Sequence, residues 1–273
     1  MPEFGGFPTY TKQYHHEPYA AIAPTRPELS TQGKNVVITG GGGAIGTAMA
    51  LSFAQSGASS IALLGRTEAA LLKSKQAVNA TYPATDVYIV KADVADEASV
   101  RTALEKFASM AGKKLDILVA NAGVLSDAGT FNLVRAFVPL AEKNATLINV
   151  TSSVPQLPFV PGSSSYHGSK LAAVKLFDYL HFENPELRVL QFHPGVVQSS
   201  MSQKSFDSGI PRPTMDDGDS SPQQFCSLVC QLRVGKSSRP VSVGKSWDVE
   251  KLKDKAKEFG SGPQLTMGLI GWP

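Results

Sequence analysis

Six short apolar runs, rich in valine and isoleucine, recur along the chain with helix-length amphipathic segments between them. They are "NVVITG" (35 to 40), "SIALLG" (60 to 65), "DVYIVKADV" (86 to 94), "LDILVANAG" (115 to 123), "ATLINVTSS" (145 to 153) and "RVLQFHPG" (188 to 195). A strand that is apolar without alternation has to be covered on both faces, and a parallel sheet with crossover helices on either side provides that cover. The recurrence predicts an α/β fold: a Rossmann-like, doubly wound parallel sheet in three layers, forming a single domain, with ligands outside the carboxyl ends of the strands. A seventh run, "RPVSVG" (239 to 244), is the expected last strand. Residues 1–33 show no period of 2 or 3.6 and read as an N-terminal extended arm, which leaves 34–273 as the domain. The polar stretch 202–222 is long for a connection and reads as a lid over a substrate.

Directly after the first run comes "TGGGGAIGTAMALSFAQSG". Glycines between a strand and a helix let the backbone turn tightly and approach a diphosphate, and the helix then presents its first N–H groups to that anion. Gly40, Ala44, Ile45 and Gly46 are the residues of this turn, and 34–273 is on that ground a dinucleotide-binding domain. The second run ends at Gly65 and Arg66. An acid there would bind the ribose 2′-hydroxyl of NAD, whereas an arginine suits a 2′-phosphate, so NADP (NADPH) is the expected cofactor and NAD the lesser one.

Ser153 stands thirteen residues before Tyr166, and Lys170 four after it. A helix from about Ser163 puts Tyr166 and Lys170 on one face, one turn apart. A phenol with a pKa near 10 is a poor acid or base at neutral pH, and a neighbouring ammonium is expected to lower it. These elements, in this order and together with "HPGVVQS" after the sixth run, resemble the short-chain dehydrogenase/reductase family over nearly everything from Gly33 to Gly195. The turn is similar to the family's TGxxxGxG pattern, with Ala44 where its middle glycine usually stands. The resemblance implies that Asp93 and Val94 hold the adenine edge, and that Asn121, Ala122 and Gly123 lie beside the cofactor and brace the central strands. It further implies that Lys170 and Tyr166 hold the ribose, and that Pro194, Gly195, Val197 and Ser199 fix the carboxamide. The catalytic group it implies is Ser153, Tyr166 and Lys170. The activity it implies is that of an NADP(H)-dependent oxidoreductase interconverting a ketone and a secondary alcohol on a small organic substrate. The lead-in "YHHEPYAAIAPTRPELS" resembles fungal members, many of which act in secondary metabolism.

The resemblance breaks between Asn121 and Ser153, where the family has roughly 20 residues more, several helical turns. The family's catalytic asparagine and much of its subunit interface fall in the missing part. Phe131 onward reads as the surviving half of a helix, with Ser126 or Asp127 as the nearest polar stand-in, and a homodimer weakened by the short helix is expected. Two other functions stay open: a non-redox isomerase, dehydratase or cyclase on the same scaffold, and a cofactor-binding protein with impaired catalysis. Ser152 reads as a backbone-capping hydroxyl, and His167 and His193 as flanking groups. The formal charge of +3 is scattered, which excludes a nucleic-acid or membrane-surface partner and leaves a small molecule. Cys226 and Cys230 read as plain thiols, His15 and His16 lack further ligands, so no metal is expected, and the default compartment is the cytoplasm.

Overall fold

The apolar runs become the strands of one sheet. The structure, a computed structural model, describes residues 19–123, 128–152, 164–195, 197–207, 242–244 and 248–254. Its strands are β1 (Asn35–Thr39), β2 (Ser60–Gly65), β3 (Asp86–Lys91), β4 (Leu115–Ala120), β5 (Ala141–Val150), β6 (Arg188–His193) and β7 (Ser242–Gly244). Seven strands pair in the order β3-β2-β1-β4-β5-β6-β7, all parallel. The helices are α1 (Ala44–Gln55), α2 (Glu68–Thr81), α3 (Glu97–Met110), α4 (Ala128–Phe137), α5 (Ser164–Glu183), α6 (Ser200–Asp207) and α7 (Val249–Asp254).

Every residue of β1 and β4 is buried, which is why those runs are continuous rather than alternating. Alternate side chains go to opposite faces. Ile38, Ile61, Val119 and Phe192 join Met49 and Phe53 of α1 on one face, while Val37, Leu64, Leu118 and Leu147 join Phe107 of α3, Phe137 of α4 and Phe177 of α5 on the other. Three layers result. Truncating any of the fully buried phenylalanines, such as Phe53 or Phe177, to alanine costs about 3–5 kcal/mol. The strand order reverses between β1 and β4, and the carboxyl ends of those two strands are the place where such sheets bind ligands.

Several boundaries differ from the sequence reading, each for a local reason. The third, fourth and sixth runs stop short because Asp93, Asn121 and Pro194 turn the chain away after the last paired residue. Residues 19–33 form short 3₁₀ turns that pack on the sheet, with Ile22 and Leu29 buried. Thr31 donates its N–H to the Ser56 carbonyl at 2.9 Å. The first part of the expected lid is α6, and the rest lies outside the described residues. The helix expected from Phe131 begins at Ala128 and ends at Phe137, where Pro139 belongs to a 3₁₀ turn that cannot continue it. The chain then enters the sheet at Ala141, before the expected Ala145, and a register shift between Leu115 and Ile117 accommodates the extra residues, with Asn144 at φ 64°.

Candidate active site

The β1–α1 turn is built on Thr39 and Asn121. The buried Thr39 Oγ1 donates to the Val119 carbonyl at 3.2 Å and accepts the N–H groups of Asn121 and Ala122 at 3.1 and 3.0 Å. In return, Asn121 Nδ2 donates to the Thr39 carbonyl at 2.9 Å. These bonds tie the carboxyl ends of β1 and β4 together. Gly40 has φ 66°, and a Cβ on Gly46 would sit 2.3 Å from the Gly40 carbonyl oxygen, so only glycine lets helix and turn approach this closely. Helix α1 has no side-chain cap at Gly43 and no acid in its first turn, which leaves its positive end uncompensated. That cradle fits a diphosphate. Ala44 is exposed at the first helical position, where a methyl group is harmless, and Ile45 is half-buried behind it.

Arg66 follows β2 directly, is exposed, and has no ion-pair partner among the described residues. Asp93 accepts the Ala95 N–H at 3.0 Å, and Val94 is buried. Sequence reasoning missed Asn132. From α4 this buried side chain donates to the carbonyls of Val94 and Ala95, both at 3.2 Å, and pins the loop expected to hold adenine. An asparagine inside an apolar helical stripe was the available signal.

The Tyr166–Lys170 pair stands on α5 as its spacing requires. Lys170 Nζ donates to the Val150 carbonyl at 3.0 Å and lies 5.9 Å from the centre of the Tyr166 ring. Burial lowers the Lys170 pKa to about 8. The phenol goes the other way from expectation: burial raises its pKa above the ordinary value, and a hydrogen bond with Ser152 offsets part of that. The Lys170 ammonium is directed at the Val150 carbonyl, and burial is the larger influence on the phenol. Ser152, read as a backbone cap, therefore bonds to the phenol, which corrects the sequence reading. Ser153 lies outside the described residues, as do Ser126, Asp127, Cys226, Cys230, His15 and His16.

Pro194 and Gly195 (φ 77°) end β6 on the same edge, and Val197 is buried. Ser199 caps α6, accepting the Ser202 N–H on its Oγ at 3.1 Å. Gly123 is exposed just beyond Ala122. His167 and His193 are half-buried and both have partners. No three His, Cys, Asp or Glu side chains gather into a metal site among the described residues. Nor is any helix among them long and apolar enough to cross a membrane.

An anion-ready turn at the switch point of a parallel sheet, with a phenol and an amine two strands away on the same edge, defines a nucleotide-binding oxidoreductase fold. The family model described as short chain dehydrogenase matches residues 34–209. The chain belongs to the short-chain dehydrogenase/reductase family. It is 30% identical to a short chain dehydrogenase/reductase of Claviceps purpurea, over 98% of this chain and 96% of that one. It is likewise 30% identical to the short chain dehydrogenase mpl6 of Monascus purpureus, over 99% of both. Those alignments run over 290 and 301 positions for a chain of 273, so both relatives carry residues for which this chain has none. Among solved structures, a short chain dehydrogenase from Burkholderia cenocepacia in complex with NADP superposes with a TM-score of 0.65 at 21% identity, covering 79% of this chain and 98% of that one.

Proposed function

We propose that the protein is an NADP(H)-dependent carbonyl reductase that interconverts a ketone and a secondary alcohol on a small organic substrate, a fungal secondary metabolite, in the cytoplasm. The observation that carries this reading is the Ser152–Tyr166–Lys170 group on the edge that holds the glycine turn. Bound NADPH supplies a hydride to the carbonyl carbon. Tyr166, protonated at neutral pH, gives its phenolic proton to the carbonyl oxygen. Ser152 steadies the phenolate left behind, which regains its proton from solvent. Ser153, by the family pattern, is the donor to the substrate oxygen. Gly40, Ala44, Ile45 and Gly46 would hold the diphosphate, Asp93 and Val94 the adenine, and Arg66 the 2′-phosphate. The NADP complex of the Burkholderia relative is consistent with that cofactor, as are the fungal sources of the two sequence relatives.

NADPH consumption against a panel of ketones and quinones tests the reading. Tyr166→Phe is expected to abolish turnover with cofactor affinity nearly intact, and substantial residual activity in that variant would show that the proton comes from elsewhere. Arg66→Ala is expected to weaken NADPH roughly tenfold or more and leave NADH unchanged, as for one charge-assisted contact. Equal titrations of the two cofactors by the intact protein would remove NADP from the reading.

A second reading, a cofactor-binding protein with impaired turnover, is favoured by the short connection through α4 between β4 and β5. The same connection underlies our proposal of a homodimer weaker than those usual in the family.

A further inference from the structure

Two amides lie side by side on the face of the sheet that α5 covers. Asn149 and Gln191 are register partners in β5 and β6 and are 2% and 1% exposed, while Leu147 and Val189, two residues earlier on the same face, belong to the apolar core. Asn149 Nδ2 donates to Gln191 Oε1 at 2.9 Å. Gln191 Nε2 in turn donates to the Val174 carbonyl at 3.3 Å and to Asp178 Oδ1 at 3.1 Å. Polar groups in such a place cost desolvation that an apolar pair would avoid. What they add is direction. The apolar stripe of α5, with Ala173, Val174, Phe177 and Leu180 buried, opposes separation of helix from sheet but says little about position along the helix axis, because that attraction is non-directional. Hydrogen bonds do fix that position. Lys170 to the Val150 carbonyl is one such anchor, and the bridge from Gln191 is the second, one to two turns further along α5. Both anchors lead back to adjacent residues of β5, Asn149 and Val150.

We propose that Gln191 is a positioning residue: by bridging Asn149 of β5 to Val174 and Asp178 of α5, it sets the axial register of that helix and so the placement of Tyr166 and Lys170 against Ser152. The proposal rests on the reading that Tyr166 is the proton donor. Burial raises the Asp178 pKa, while Lys175 and His181 of its own helix and the Gln191 amide favour its charged form; on the sheet side stand the amides of Gln191 and Asn149, with His193 two residues beyond Gln191 on the same face of β6.

The test uses the full chain carrying Gln191→Leu, Gln191→Glu or Asp178→Asn. Three quantities are measured: kcat and KM, the NADPH dissociation constant, and the titration of Tyr166 by NMR of 13Cζ-labelled tyrosine, assigned with Tyr166→Phe. Gln191→Leu is expected to lower kcat by about tenfold or more, since a misplacement of about 1 Å in such a group costs up to ~100-fold, and to weaken NADPH by less than kcat falls, because the glycine turn that would hold the diphosphate is untouched. Its Tyr166 titration is expected to shift. Asp178→Asn, whose side-chain oxygen still accepts from Gln191, is expected to match the wild type in both. Gln191→Glu is expected to work at acidic pH, where its protonated carboxyl still donates to Asp178, and to fail as pH rises and two carboxylates face each other.

A merely structural role would lower the melting temperature of Gln191→Leu yet leave kcat per folded molecule and the Tyr166 titration unchanged, and that result overturns the proposal. If Gln191→Leu does not fold, a wild-type pH profile in Gln191→Glu overturns it equally. Failure of the underlying reading looks different: Tyr166→Phe then keeps its turnover, and the NMR titration still reports whether Gln191 places the phenol.

Discussion

Lys170 carries a cost that pH can remove. Its pKa is lowered by burial to about 8, so between that value and the 10.5 of the unfolded chain the unfolded state binds more protons than the folded one, and stability rises with pH through that window. The raised Tyr166 pKa acts with the opposite sign, but only above its ordinary value near 10. Urea midpoints of the cofactor-free protein at pH 7.5 and 9.5 are therefore expected to rise relative to those of Lys170→Met, and identical slopes in the two proteins would show that the amine is not desolvated. At this scale the sequence was readable where a residue type serves one purpose. Gly40 and Gly46 had to be glycines and Tyr166 had to sit a turn from Lys170, whereas the choice between Ser152 and Ser153 depends on how β5 ends, and no spacing contains that.

Elements were readable by type and less so by extent. Continuous apolar runs marked β1 and β4 plainly, and Pro139 marked the end of α4, but the early entry of Ala141 into the sheet is a tertiary pairing without a local signal. Asn132 shows what helix α4 does for the loop after β3, for its amide is the link between α4 and the Val94–Ala95 backbone. Asn132→Ala is expected to weaken binding of 2′-AMP by about 1 kcal/mol, roughly fivefold, with kcat at saturating NADPH unchanged. Calorimetry with 2′-AMP decides it, and unaltered affinity would mean that the loop holds its shape without α4. Gln191 was invisible for a related reason, since a glutamine in a strand declares its partners only after β5 and α5 have been set beside it.

At the scale of the whole molecule, the exposed apolar side chains of α4 and α5 bear on assembly. Leu171, Tyr179 and Phe182 on α5 are 44%, 57% and 82% exposed, and Phe131 on α4 is 49% exposed, an outward apolar face with a truncated neighbour. Light scattering is expected to give a dimer that dissociates on dilution and becomes a monomer in Tyr179→Glu/Phe182→Glu; a tight tetramer indifferent to those changes would contradict a weakened interface. Pairing from Ile117 with Thr146 onward is regular, and the irregular, bulged residues all lie at the amino end of β5, away from Ser152. A one-residue slip in the regular part would turn Asn149 to the opposite face, whereas the bulge takes up surplus chain without moving anything beyond it. The sheet thus keeps its slack at the far end, so the connection between β4 and β5 can differ in length while the working edge stays in register.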